Sequence, residues 1–249
     1  MRGHSLLAAC LFATLPVGAI AESAIASTIQ SAVADPSRPA DQRAADESRK
    51  PAETIAFAGV RPGMTVGEFY PGGGYFTRML SDVVGPKGHI HGIENDRWKG
   101  AVKADAELVA SGQLKNVTMD SAPFGTVRFP KPLDLAWVTQ NYHDLKIAEY
   151  GVVDTAAFNR AVFQALKPGG TYFILDHEAP AGTTTADIAK LHRIEKAQVI
   201  REVTAAGFKL LEEGDFLRRP GDDHTLSIFD KAIQGKTDQY ALKFVKPLH

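Results

Sequence analysis

The stretch Val66-Gly67-Glu68-Phe69-Tyr70-Pro71-Gly72-Gly73-Gly74-Tyr75-Phe76-Thr77 constrains the fold more than any other part of the chain. Apolar residues run up to an acid, the backbone turns through three consecutive glycines, and a helix-forming run follows at once. Such a turn sets bare backbone at the start of a helix, where a ligand can approach without meeting a Cβ. Met64–Phe69 therefore reads as a buried strand and Tyr75–Val84 as the helix leaving it. Gly85-Pro86-Lys87-Gly88 ends that helix, and His89–Ile93 reads as the second strand.

The same rhythm continues. Further strands are expected at Val117–Asp120, Leu133–Thr139, Thr171–Leu175, Phe208–Glu212 and Tyr240–Val245. Helices are expected at Pro51–Phe57, 101–111, 154–166 and 186–206. Alternation of this kind predicts an α/β fold, a doubly wound and mostly parallel sheet covered on both faces. Gly214–Asp238 breaks the rhythm and reads as a long loop with one short strand at Leu226–Phe229, around the polar run Arg218-Arg219-Pro220-Gly221-Asp222-Asp223-His224. Apolar residues at 44% of 249 suffice for one sizeable core. A net charge of −1 supplies no global field for nucleic acid or anionic lipid, which leaves a small molecule or a local protein surface as the expected partner.

The first 21 residues read as a signal peptide. Arg2 and His4 precede an apolar run from Leu6 to Val17, and Ala19-Ile20-Ala21 places cleavage before Glu22. A run of about 12 apolar residues makes roughly 18 Å of helix against a hydrocarbon core of about 30 Å, too short for a membrane anchor. Leu7-Ala8-Ala9-Cys10 resembles a lipoprotein cleavage box, but few residues precede it and the apolar run continues beyond it. The mature chain is then expected in the periplasm of a bacterium, without cysteine and so without disulfides or thiolate sites. Residues 22–34 read as a flexible lead-in. A short helix at Pro39–Ser48 carries Arg38, Asp41, Arg43, Asp46 and Arg49 as a solvated face or, alternatively, as an arm over a binding site. Residues 22–50 thus form an N-terminal arm, and 51–249 the α/β domain.

Glu94 closes the second strand 20 residues beyond Gly74, where an acid can accept hydrogen bonds from ribose hydroxyls. With Glu68, Gly72 and Gly74 in the frame acid, apolar, Gly, any, Gly, any, Gly, the chain resembles the class I S-adenosylmethionine-dependent methyltransferase family. The resemblance continues through Glu94, Asp134 and Leu166-Lys167-Pro168-Gly169-Gly170, and covers residues 51–249. Within the family the chain resembles a group of exported bacterial methyltransferases through Pro71–Tyr75, Asn141-Tyr142-His143-Asp144 and Asp222–Thr225.

The resemblance implies a Rossmann-like sheet of seven strands with an antiparallel last strand, and S-adenosylmethionine as cofactor. It further implies that Glu68 orients the glycine loop or touches the methionine part, that Gly72, Gly73 and Gly74 admit it, that Glu94 holds the ribose, and that Asp120 lies near the adenine. Asn141 joins this set at the end of the fourth strand. Tyr70 stands where the family has its first glycine, and a ring there would crowd the cofactor's amino-acid end. A dinucleotide-binding alternative needs glycine at position 77, which is threonine, and has no use for Glu68.

After the fourth strand, Gln140-Asn141-Tyr142-His143-Asp144 falls at the carboxyl edge beside the switch-point crevice. His143 is the candidate general base and Asp144 the group that orients its ring. Asp176-His177-Glu178, His192 and His224 can converge at the same edge, and imidazole with carboxylate suits a divalent metal, but their spacing matches no tight ligand motif and no metal is assigned. The prolines that a DNA-methylating site would place after Asn141 are absent. Two functions follow: methyl transfer to a small acceptor, or, alternatively, an exported non-catalytic protein that keeps the fold to bind a ligand or a protein.

Overall fold

The computed structural model describes residues 17–130 and 132–248. Its sheet has seven strands: β1 (Thr65–Phe69), β2 (His89–Asn95), β3 (Val117–Ala122), β4 (Leu133–Thr139), β5 (Leu166–His177), β6 (Lys209–Gly214) and β7 (Gln239–Val245). They lie in the order β3-β2-β1-β4-β5-β7-β6. The pairs from β3 through β5 are parallel, and β7 runs antiparallel to both β5 and β6, as the resemblance implies. The order reverses between β1 and β4, so their carboxyl ends open a crevice in which the loops after both strands meet.

Successive strand residues face opposite layers. In β4, Ala136 and Val138 pack toward α7 (Thr155–Ala165) and α9 (Lys196–Ala205), among Phe158, Val162, Val199 and Val203. Leu135 and Trp137 face the other layer, with Phe76, Met79 and Leu80 of α5 (Tyr75–Val84) and Ile55 of α4 (Pro51–Ala58). Both faces of β4 are therefore buried, as its near-continuous apolar run requires. α6 (Lys99–Ala110) covers β2 and β3.

Four expectations need correction. Residues 22–34 belong to a helix, α1 (Val17–Ala34), that packs on α4 and α5 through the buried Ile29 and Ala32, so the lead-in is held by apolar burial. The arm is two short helices, α2 (Ala40–Ala44) and α3 (Asp46–Arg49), and its charges are only partly a solvated face: Asp41 and Arg43 are exposed, whereas Asp46 and Arg49 are half-buried. Arg38 is buried, donates to Val33 O at 2.6 Å and forks onto both oxygens of Asp46 at 2.8 Å. The single helix expected over 186–206 is two, α8 (Thr185–Leu191) and α9, because His192 takes a left-handed cap (φ 55°) and the buried Arg193 pulls the chain inward. Leu226–Phe229 is not a strand; Arg193 Nε instead holds Leu226 O at 3.0 Å in an irregular loop. Among the described residues no helix is long and apolar enough to cross a membrane.

Candidate functional site

At the carboxyl ends of β1 and β4 lies a cleft of about 540 Å³. Glu68, Tyr70 and Gly72 form one wall, and Asn141, His143, Asp144 and His192 form the opposite wall. Asp41, Gln42 and Arg49 of the arm close over it, while Trp98, Tyr150 and Phe229 supply aromatic surface. The arm is fixed there by Tyr75, whose hydroxyl donates to Asp46 at 2.6 Å and whose ring lies 4.5 Å from the Arg49 guanidinium carbon. Gln42 Nε2 donates to Gly73 O at 3.3 Å, tying the arm to the glycine loop itself.

The loop geometry explains its residues. Gly74 caps α5 at φ 85°, and a Cβ there would meet Leu108 Cδ2 at 2.4 Å. At Gly72 a Cβ would meet only Tyr70 O at 3.8 Å and would stand in the cleft, so this position leaves bare backbone facing a ligand. Tyr70 adopts φ 57°, the left-handed conformation that makes glycine the usual choice. Its ring is drawn into a cluster with Phe124 at 4.6 Å and Trp98 at 5.7 Å, and its hydroxyl accepts from Gly125 N at 3.1 Å. The aromatic burial and that hydrogen bond offset the backbone cost, and they anchor the ring to the loop after β3.

Three acids surround the loop. Glu68 is buried and accepts from Thr77 Oγ1 at 2.6 Å; burial pushes its carboxyl up to about 8. Glu94 sits beneath the loop, accepting from Gly72 N at 3.0 Å and Asn95 N at 2.7 Å, and burial raises it to about 7. Asp105 accepts from Gly73 N at 3.0 Å and is raised by burial to about 6. Glu94 lines a smaller pocket, of about 200 Å³, that it shares with Asp105 and Asp120 rather than the main cleft. Asp120 lies at the exposed rim, paired with Arg128 at 2.7 Å.

On the opposite wall, a 3-10 turn at His143–Lys146 places His143 between two acids. Asp176 Oδ1 lies 2.7 Å from its Nδ1 and Asp144 Oδ1 3.1 Å from its Nε2, while Asp176 Oδ2 accepts from the His143 backbone N at 2.8 Å. Burial alone would lower the histidine's pKa, but the charges of Asp176 and Asp144 outweigh it and raise it to about 10. At neutral pH this position favours positive charge, so the ring is a donor and is set against the expected role of proton acceptor. His192, at 3.4 Å from Asp144 Oδ1, joins the group.

The remaining predicted residues part company. His177 is within ring contact of His143, but its Nδ1 pairs with Thr237 Oγ1 at 2.9 Å, and burial first, then the charge of His143, lowers its pKa. His224 pairs with Asp238 at 3.1 Å in the loop that Arg193 and Asp222 secure, so the polar run around it fastens the loop. Gln42, Arg49, Trp98 and Tyr150 of the cleft were not singled out from sequence as binding residues. The alternating charge of the arm was the available signal for Arg49; Trp98 and Tyr150 carry no spacing that marks them.

Comparison with known proteins agrees with this architecture. No protein-family model matches the chain. It is 30% identical over 196 residues to the ubiquinone/menaquinone biosynthesis C-methyltransferase UbiE of Vibrio cholerae, a match covering 76% of this chain and 71% of that protein. The corresponding protein of Shewanella woodyi is 32% identical over 132 residues, spanning 51% of this chain but about half, 48%, of the relative. Among solved structures, a SAM-dependent methyltransferase from Aquifex aeolicus superposes with a TM-score of 0.61 at 20% identity, covering 89% of this chain and 98% of its own. The chain belongs to the class I S-adenosylmethionine-dependent methyltransferase family. S-adenosylmethionine is the family's methyl donor, and the residues present fit it: Gly72 offers bare backbone to a cleft of about 540 Å³, within the usual range for a small-molecule site.

Proposed function

We propose that this protein transfers a methyl group from S-adenosylmethionine to a small acceptor, and that it does so after export to the periplasm. The observation that carries the reading is one cleft with the glycine-loop backbone at Gly72 on one side and the polar wall Asn141–Asp144 on the other. When bound, the cofactor supplies a methyl group on a positively charged sulfur. Gly72, with Glu68, Tyr70 and Asn141, holds it, while Gly73 and Gly74 shape the loop. Glu94 acts from below through Gly72 N, and Asp120 acts from the rim. An ammonium group beside Glu68 would draw off its proton and convert the neutral carboxyl into a counter-charge.

The acceptor lies against His143 and Asp144. Trp98, Tyr150 and Phe229 suit the faces of a small ring compound, and the charged Arg49 suits its oxygen substituents. That chemistry is in keeping with the C-methylation for which the relatives are named. Holding donor and acceptor in one cleft supplies rate through orientation and needs no covalent intermediate on the protein. Export rests on the leader, whose residues 1–16 lie outside the described part of the structure.

Methyl-labelled S-adenosylmethionine incubated with the mature protein and a small-molecule extract of the cell envelope tests the proposal. Label appearing in a low-molecular-weight product supports it. Cofactor binding without any transfer would favour the non-catalytic ligand-binding alternative.

A further inference from the structure

Three ligand-type atoms on the acceptor wall point to one place. Asp144 Oδ1 stands 3.1 Å from His143 Nε2 and 3.4 Å from His192 Nδ1, and all three atoms lie within 4.8 Å of one another. Two nitrogen or oxygen ligands at about 2.1 Å from a shared ion, subtending about 95–110°, are themselves about 3.1–3.4 Å apart. Asp144 Oδ1 is buried, its side chain 6% exposed, and it faces both imidazole nitrogens.

The surroundings are those of a built site. His143 Nδ1 is engaged by the fully buried Asp176 at 2.7 Å, which fixes the ring and leaves Nε2 turned toward Asp144, the carboxylate-to-histidine support common behind metal ligands. Asn141 Nδ2 donates to the second oxygen of Asp144 at 2.9 Å and so leaves Oδ1 turned to the two imidazoles. The His192 ring is packed by Phe229 at 4.8 Å. Asp144 and Asp176 bring two negative charges to this point.

We propose that His143 Nε2, Asp144 Oδ1 and His192 Nδ1 bind one divalent transition-metal cation of the zinc type. Two imidazoles and one carboxylate suit zinc and its first-row neighbours, whereas calcium and magnesium prefer all-oxygen sets. Binding releases any proton on His143 Nε2 to solvent. Three protein ligands leave coordination positions open to the cleft, where an anionic oxygen of a small molecule is the expected further ligand. That last role rests on the proposed acceptor; the metal site itself does not depend on methyl transfer.

The test is a zinc titration of the untagged protein, stripped with chelator and exchanged into metal-free buffer, with His89→Ala and His91→Ala in the background so that the histidine pair on β2 does not compete. One zinc per chain is expected. His192→Asn, which suits the left-handed backbone, and Asp144→Asn should each weaken binding at least about 10-fold, with His224→Gln unchanged. Cobalt(II) in place of zinc should give visible absorption bands that His192→Asn abolishes. Circular dichroism checks that each variant is folded, and if Asp144→Asn does not fold, His192→Asn decides. No zinc uptake by the folded protein, or equal affinity in folded His192→Asn, overturns the site even if S-adenosylmethionine binds normally.

Discussion

Glu68→Gln isolates the most strongly perturbed acid of the glycine loop. Glu68 is 2% exposed, and among the described residues its carboxylate accepts one side-chain hydrogen bond, from Thr77 Oγ1 at 2.6 Å. Burial, with added repulsion from Asp105 and Glu94, lifts its carboxyl from 4.5 to about 8. Between those values the folded chain holds a proton that the unfolded chain has released. The stabilising contribution is therefore fully present below about pH 4.5 and is lost as pH rises toward 8. At about 1.4 kcal/mol per pH unit the whole window is worth about 5 kcal/mol, of which roughly 3 kcal/mol is lost by pH 7. Glutamine keeps the volume and an oxygen for Thr77, but it cannot ionise. Urea unfolding followed by circular dichroism, at about pH 5 and about pH 8.5, should show Glu68→Gln gaining roughly 3–4 kcal/mol on the wild type between the two conditions. Parallel pH profiles for the two proteins, or a wild type that gains on the variant as pH rises, would refute the reasoning.

Other perturbations test the loop, the arm and the leader. Gly74→Ala sets a Cβ against Leu108 at 2.4 Å at a φ of 85°; thermal melts should show a loss of about 2 kcal/mol or more, from the left-handed cost and overpacking together. Arg38→Ala removes a buried guanidinium from a partly exposed Asp46 and from Val33 O. A loss of about 1–3 kcal/mol is expected, and limited proteolysis should cut within residues 35–50 faster than in the wild type. Mass spectrometry of periplasmic protein should find Glu22 at the amino terminus; its carboxylate pairs with Arg61 at 3.0 Å in the folded chain. An intact leader in the cytosol would reject that prediction.

The sheet was legible because its central strands are short apolar runs bounded by glycine, proline or a polar turn, and β4 in particular spans Leu133–Thr139 as its sequence indicates. Where local signals competed with tertiary contacts, sequence reading failed. The 186–206 run has helical periodicity throughout, yet the buried Arg193 ends α8 and begins a new segment, an interaction with Asp222 that periodicity does not encode. The arm looked solvated because its charges alternate; only the fold brings Asp46 to Arg38 and Tyr75. Of the site, Gly72, Gly74 and the Asn141–Asp144 run were visible as motifs at strand ends. The pairing of His143 with Asp176, 33 positions away, and the entry of His192 depend on strand order.

Titration calorimetry of the mature protein with S-adenosylmethionine and S-adenosylhomocysteine tests the central claim most directly. Binding of one molecule of either per chain, at a micromolar dissociation constant and lost when Gly72→Val fills the bare wall of the cleft, is the predicted result. No heat of binding for either compound with the folded wild-type protein, or equal affinity in a folded Gly72→Val variant, would contradict it.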